Sequence, residues 1–299
     1  MRLFNRVLLL IGFISIFLQV QATHIVGADL VYRCTNAATN SYRVELTLYR
    51  DCTPASQADF DQDVTLFFFN GSTGQREFTR VIGRNFNTPP KVSIANGDAC
   101  LTTAQLAGIC VEYGRYSTTV QLPPRTGGYD IGWSRCCRNN SVTNIQAGGN
   151  RSQGISILAH VPTDLVACNS MPLFNQLAPL FLCTGQPFVF DHSATDADGD
   201  DLVYAVTNPY SGTNFQGLGT SPMAPTVNMG NLMGPPTYRN VNYLVGFNFQ
   251  DPFGSGNFQI DPVNGLLTLT PNTSGLFVFA ISVFEYRNGV LLSENKRDF

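Results

Sequence analysis

The sequence predicts an all-β protein built as two consecutive β-sandwich domains, held by disulfides. Three observations carry that expectation. Short apolar runs, several alternating with period two, recur between clusters of Gly, Pro, Asn and Ser along the whole chain. Only 13% of residues are charged, against ~25% in typical soluble proteins, while the 43% hydrophobic content is ample for real cores. The chain also carries 8 cysteines, an even number, as disulfide frameworks of exported proteins do.

The first 22 residues read as a secretion signal. Arg2 and Arg6 supply a positive start, Val7 to Val20 an apolar core, and Val20-Gln21-Ala22 a small-residue cleavage site before Thr23. That apolar run of 14 residues is shorter than the ~20 needed to cross a bilayer. No later stretch is long and apolar enough to do so. The mature chain is therefore expected to be secreted or displayed at the cell surface, without a transmembrane segment.

Residues 23–165 form the first expected domain. Strands are predicted at 30–33, 42–49, 64–69, 78–82, 92–94, 116–122, 129–137 and 154–161, with one helical turn at 102–106. Trp133, the only tryptophan, is expected in the core. Residues 166–299 form the second domain, with strands at 187–190, 202–206, 243–249, 258–260, 266–270 and 277–285. Asn264-Gly265 is a hairpin signal between two of them. Charge changes at the same boundary: 23–165 carries 12 basic and 11 acidic residues, and 166–299 carries 4 and 10. Neither part has the basic stripe of a nucleic-acid binder.

The cysteines are Cys34, Cys52, Cys100, Cys110, Cys136, Cys137, Cys168 and Cys183. No CxxC pair occurs and the 3 histidines are scattered, which argues for disulfides over zinc. The simplest pairings are local, Cys100 with Cys110 and Cys168 with Cys183. Adjacent Cys136 and Cys137 point to opposite faces of a strand and would reach Cys34 and Cys52.

The segment 191–204, DHSATDADGDDLVY, concentrates charge most strongly. It holds Asp191, Asp196, Asp198, Asp200 and Asp201, while residues 152–238 contain no Lys or Arg. Carboxylates so close repel one another, and burial worsens that. A Ca²⁺ ion would relieve it, since calcium takes hard oxygen ligands from closely spaced Asp residues, and Gly199 permits a sharp turn between them. The simpler alternative is a solvated acidic turn. Asp59, Asp61 and Asp63 form a looser cluster that reads as a solvated edge.

Catalytic signals are sparse. His24, His160 and His192 lie apart, and no G-x-S-x-G or H-E-x-x-H motif is present. His160 reads as a hydrogen-bonded structural residue before it reads as a general base. Scattered carboxyl groups could still assemble a hydrolase site. The long Gly-, Pro-, Asn- and Met-containing excursion at 208–236, with Tyr210 and Phe215, could instead contact surface glycans or proteins.

Several stretches resemble a known group. THIVGADLVYRC after the cleavage site, LTLYRDC at 46–52, CVEYGRYSTTVQLPP at 110–124 and RCCRNNS at 135–141 resemble the N-terminal region of large exported Bacteroidetes proteins. Those proteins often end in gliding-motility-associated or type IX secretion domains. DADGDDLVY and the segment 258–291 resemble their cadherin-like, immunoglobulin-type module. The resemblance implies surface or secreted β-sandwich modules. With the sparse catalytic signals, the expectation is a non-enzymatic structural or adhesion module, part of a larger multidomain surface protein. The resemblance also implies structural Ca²⁺ at Asp196, Asp198 and Asp200, with Asp191 and Asp201 as further candidates.

Overall fold

A computed structural model describes residues 25–53, 59–92, 100, 108–135, 138, 141–146, 153–177, 179, 181–212 and 238–299. Those residues are all-β, with no helix among them. The strands are β1 (Ile25–Asn36), β2 (Ser41–Asp51), β3 (Asp63–Asn70), β4 (Arg76–Gly83), β5 (Val111–Gln121), β6 (Tyr129–Arg135), β7 (Ile155–Val161) and β8 (Leu173–Phe174). They continue with β9 (Phe188–Asp191), β10 (Ala194–Thr195), β11 (Asp201–Thr207), β12 (Gln259–Ile260), β13 (Leu266–Leu269), β14 (Ala280–Arg287) and β15 (Val290–Asp298).

Alternation explains the first layer pair. In β1 and β2, Ala28, Leu30, Tyr32, Tyr42, Val44, Leu46 and Leu48 are buried, the face that period-two patterning selects. They pack in one core with Val64, Leu66, Ile131, Trp133, Ile155 and Ile157. Those residues belong to a second, four-stranded sheet of order β4-β3-β6-β7. β3 is buried on both faces, because Phe67 and Phe69 point away from that core and Tyr238 packs over them. Trp133 lies in the core as expected.

A second core joins Phe174, Tyr204, Phe253, Phe258, Leu267, Leu269, Ile281 and Val283. Here the three-stranded sheet β12-β13-β9 contributes Leu267 and Leu269, and β11 and β14 contribute Tyr204, Ile281 and Val283. The two cores divide the chain between Met171 and Phe174, close to the boundary read from charge. The hydrogen-bonded sheet does not divide there. One six-stranded sheet runs β11-β14-β15-β1-β2-β5, taking three strands from each side of residue 165, so the two parts are not separate sandwiches joined by a linker.

The seam of this sheet is β15. Asn288 (φ 54°) and Gly289 (φ 77°) turn β14 into β15 with Arg287 facing Val290, a two-residue turn of the primed kind that matches strand twist. β15 then meets β1 at Ala28 and Asp298. A Cβ on Gly27 would lie 2.7 Å from the Asp298 carbonyl oxygen, so only glycine allows this approach. Ser293, Asn295, Lys296, Arg297 and Asp298 are all buried, and each finds a partner elsewhere. Ser293 donates to Glu285, and Asn295 donates to the Pro172 carbonyl at 2.8 Å. Lys296 donates to the Asn208 carbonyl at 3.1 Å and lies over the Tyr210 ring. Arg297 donates to the Gln176 carbonyl at 2.7 Å and pairs with Asp29. Asp298 pairs with Arg138, with side chains 1% and 4% exposed. Burial holds the Asp298 carboxyl above its usual range even so.

Two expectations need correction. The disulfides join Cys34 to Cys168, Cys52 to Cys110 and Cys100 to Cys183, with Cα separations of 5.2, 4.9 and 5.8 Å. The local pairs Cys100–Cys110 and Cys168–Cys183 do not form, and Cys34 and Cys52 are not bonded to Cys136 or Cys137, which lie outside the described residues. The reason is sheet register. Asp51 faces Val111 in the β2–β5 ladder, which brings the flanking Cys52 and Cys110 together. The segment after Cys168 runs along β1, where Met171 donates to the Tyr32 carbonyl at 3.1 Å. Residues 243–249 are not a strand: Gly246 (φ 93°) turns the chain, and Leu244 and Val245 face solvent. Of the strand expected at 92–94, Val92 donates to the Val111 carbonyl at 2.8 Å beside the Lys91–Glu112 bridge, while residues 93–94 and the helical turn expected at 102–106 lie outside the described residues.

Removing one partner of the Arg138–Asp298 pair leaves a buried charge alone. Asp298→Ala is expected to lower stability in urea denaturation by about 3–5 kcal/mol, and Arg138→Met with Asp298→Leu to recover much of that loss. A cost below about 1 kcal/mol for Asp298→Ala would contradict the seam described here.

Candidate metal centre

The acidic loop turns between β10 and β11, and its local order comes from the aspartates themselves. The Asp196 carboxylate accepts backbone N–H bonds from Asp198 (2.8 Å) and Asp200 (3.1 Å), and Gly199 adopts φ 82°. Such Asx-type closure is ordinary turn chemistry. Tertiary structure adds partners that the loop sequence lacks. Asp198 accepts from the Ser170 N–H at 2.7 Å. Arg287 of β14 grips Asp200 with two bonds of 2.6 Å, and its guanidinium reaches Asp198 at 4.0 Å. Arg287 holds the Asp200 carboxyl below the usual range. The positive charge absent from residues 152–238 thus arrives from the C-terminal hairpin.

Glu285 completes the group. It lies on β14 opposite Leu202 of β11, on the same strand face as Arg287 by period-two alternation, and is fully buried. One of its oxygens, Oε2, accepts from Asn169 at 2.8 Å and from Ser293. Burial pushes the Glu285 carboxyl up to about 8. Asp196, Asp198, Asp200 and Glu285 each offer an oxygen, all within 4.8 Å of one another, and this group could bind a metal ion. Two carboxylate oxygens in it, Asp196 Oδ2 and Glu285 Oε1, are buried without a hydrogen-bond partner. Buried acceptors left unpaired carry a desolvation cost, and a cation between them would offset it. All donors are hard oxygens, the set that divalent calcium or magnesium prefers.

Three of the five expected ligands are therefore brought together and two are not. Asp191 is exposed and accepts from the Ser193 N–H at 2.8 Å, while Asp201 is an exposed strand residue opposite Tyr286. Neither belongs to the group. Glu285 escaped the sequence reading, although a lone carboxylate inside the apolar run AISVFEYR was a usable signal of a buried partner.

The remaining candidates resolve as structural contacts. Asp59 pairs with Arg84 at 2.8 Å and Asp61 with Arg135 at 2.8 Å, so these aspartates do not converge. His160 bonds Asp130 at 2.7 Å. His192 turns from the loop into the second core, edge-on to Phe174, Phe190 and Phe299, and burial pushes its pKa down to about 3. Tyr210 packs against Tyr238. The excursion behind it closes at a neck where Ser211 donates to the Arg239 carbonyl and Val241 to the Pro209 carbonyl. His24, Phe215 and the rest of the excursion at 213–237 lie outside the described residues. No described helix is long and apolar enough to cross a membrane.

Among the described residues, Arg287→Leu would remove the cation paired with the acidic group. Stability measured in a chelator is expected to fall by about 1–2 kcal/mol, and an unchanged value would show that the Asp200 contact contributes nothing. Compared with known families, curated proteins and solved structures, the chain matches none.

Proposed function

We propose that this chain is an exported, non-enzymatic structural or adhesion module of a longer surface or secreted protein, stiffened by Ca²⁺ at Asp196, Asp198, Asp200 and Glu285. The supporting observation is the pair of orphaned buried oxygens, Asp196 Oδ2 and Glu285 Oε1, inside a four-carboxylate group. Three disulfides are consistent with an extracellular setting. The Bacteroidetes-like stretches of the sequence agree with such a role.

The position of the group favours a clamp over a catalyst. Its ligands come from the β10–β11 loop and from β14, and Asn169 and Ser170 link it to the chain beside Cys168. A cation there would tie the acidic loop to the long sheet near the Cys34–Cys168 disulfide. Glu285, whose raised pKa suits a general acid, is fully buried and so is withdrawn from any substrate. The alternative, a glycan- or protein-binding role for the 208–236 excursion, falls mostly on residues outside those described.

Calcium binding to the folded state alone should add about 2.7 kcal/mol at a concentration 100 times the Kd, seen as a rise of several degrees in melting temperature. Asp196→Asn and Glu285→Gln are each expected to reduce that rise. Identical melting in EDTA and in millimolar Ca²⁺ would overturn the proposal.

A further inference from the structure

Where the two cores meet, the chain forms a cleft of about 540 Å³, within the ~300–1,000 Å³ range of small-molecule sites. Phe188, Phe190, Phe253, Phe277, Leu269 and Val278 supply much of its wall. Ile25 of β1 and Val111 of β5 reach it from the other side. Leu276, at its edge, is 51% exposed, so the cleft opens to solvent. Water against such a wall has few polar partners, and an extended apolar surface facing water marks a binding site more often than an inert face.

The charges along the wall narrow the ligand. Among the described residues, Asp51 and Arg138 are the charged groups that line the cleft. Arg138 is committed to Asp298 and to the Gly154 carbonyl, and Asp51 accepts from the Thr53 N–H. His192, also on the wall, is neutral at physiological pH because it is buried among aromatic rings. No described cation is left to receive a carboxylate or phosphate, so an anionic head group would enter without a partner. Burial of an aliphatic chain needs no such partner and gains with each methylene. We propose that this cleft binds the acyl chain of a neutral, single-chain lipid, with an uncharged head group toward solvent.

The test is displacement of the fluorescent probe N-phenyl-1-naphthylamine from the purified chain by 1-monoolein and, separately, by oleate. Saturable probe binding is expected, with 1-monoolein displacing it at about tenfold lower concentration than oleate. Leu182→Trp and Leu276→Trp, which narrow the cleft, are each expected to weaken binding about tenfold. Val245→Trp, exposed and away from the cleft, should leave it unchanged. Only variants melting like the parent chain are compared, and the displacement arm needs no variant. Absence of saturable binding, equal weakening by Val245→Trp, or tighter binding of oleate than of 1-monoolein would each overturn the proposal.

Discussion

The buried polar side chains of β15 are the interaction on which the rest depends. A strand in the interior of a sheet normally carries apolar residues, because each buried polar group must find a partner or lose its hydration without return. Here Asn295, Lys296, Arg297 and Asp298 each find one in Pro172, Asn208, Gln176 with Asp29, and Arg138, while Asn295 Oδ1, Arg297 Nε and Asp298 Oδ1 stay buried without one. These partners come from widely separated parts of the chain. Such bonds add little net energy over their hydrated equivalents, but each is costly to break. They therefore fix where β15 lies more than they add to overall stability. That placement makes one sheet of strands that belong to two cores.

The candidate metal centre and the cleft both follow from this arrangement. Ser293 of β15 holds Glu285, and Glu285 faces the acidic loop. Arg287, just before the turn into β15, supplies the charge that the loop lacks. On the other side, the approach of β1 to the end of β15 sets Ile25 and Gly27 beside the aromatic residues of the second core, which opens the cleft between them. The acidic loop keeps one orphaned oxygen on Asp196 and meets another on Glu285. Arg287 compensates part of the negative charge, and the group with its unpaired oxygens could bind a metal ion.

Much of the fold was legible in the sequence. The alternation in YRVELTLY and the run VTLFFF became β2 and β3 nearly as read, whereas the cores change between Met171 and Phe174 and one sheet runs across both parts. The single sheet was hidden because SENKRD looks like a solvated tail, even though Asn288-Gly289 is a strong hairpin signal that announces a strand after it. The apolar pattern in YLVGFNF suggested a strand, but Gly246 breaks it. In the metal centre, Asp196, Asp198 and Asp200 were visible from spacing alone. Glu285 and Arg287 were not, because the β11–β14 pairing that delivers them is long-range, and so are the three disulfides. Local spacing reveals loop chemistry, whereas ladder register decides which distant side chain completes it.

By joining strands of both cores in one sheet, β15 is expected to make them one cooperative unit. Differential scanning calorimetry of the chain tests it directly. A single transition is predicted, with equal calorimetric and van't Hoff enthalpies. Two separate transitions, one for each core, would contradict the account.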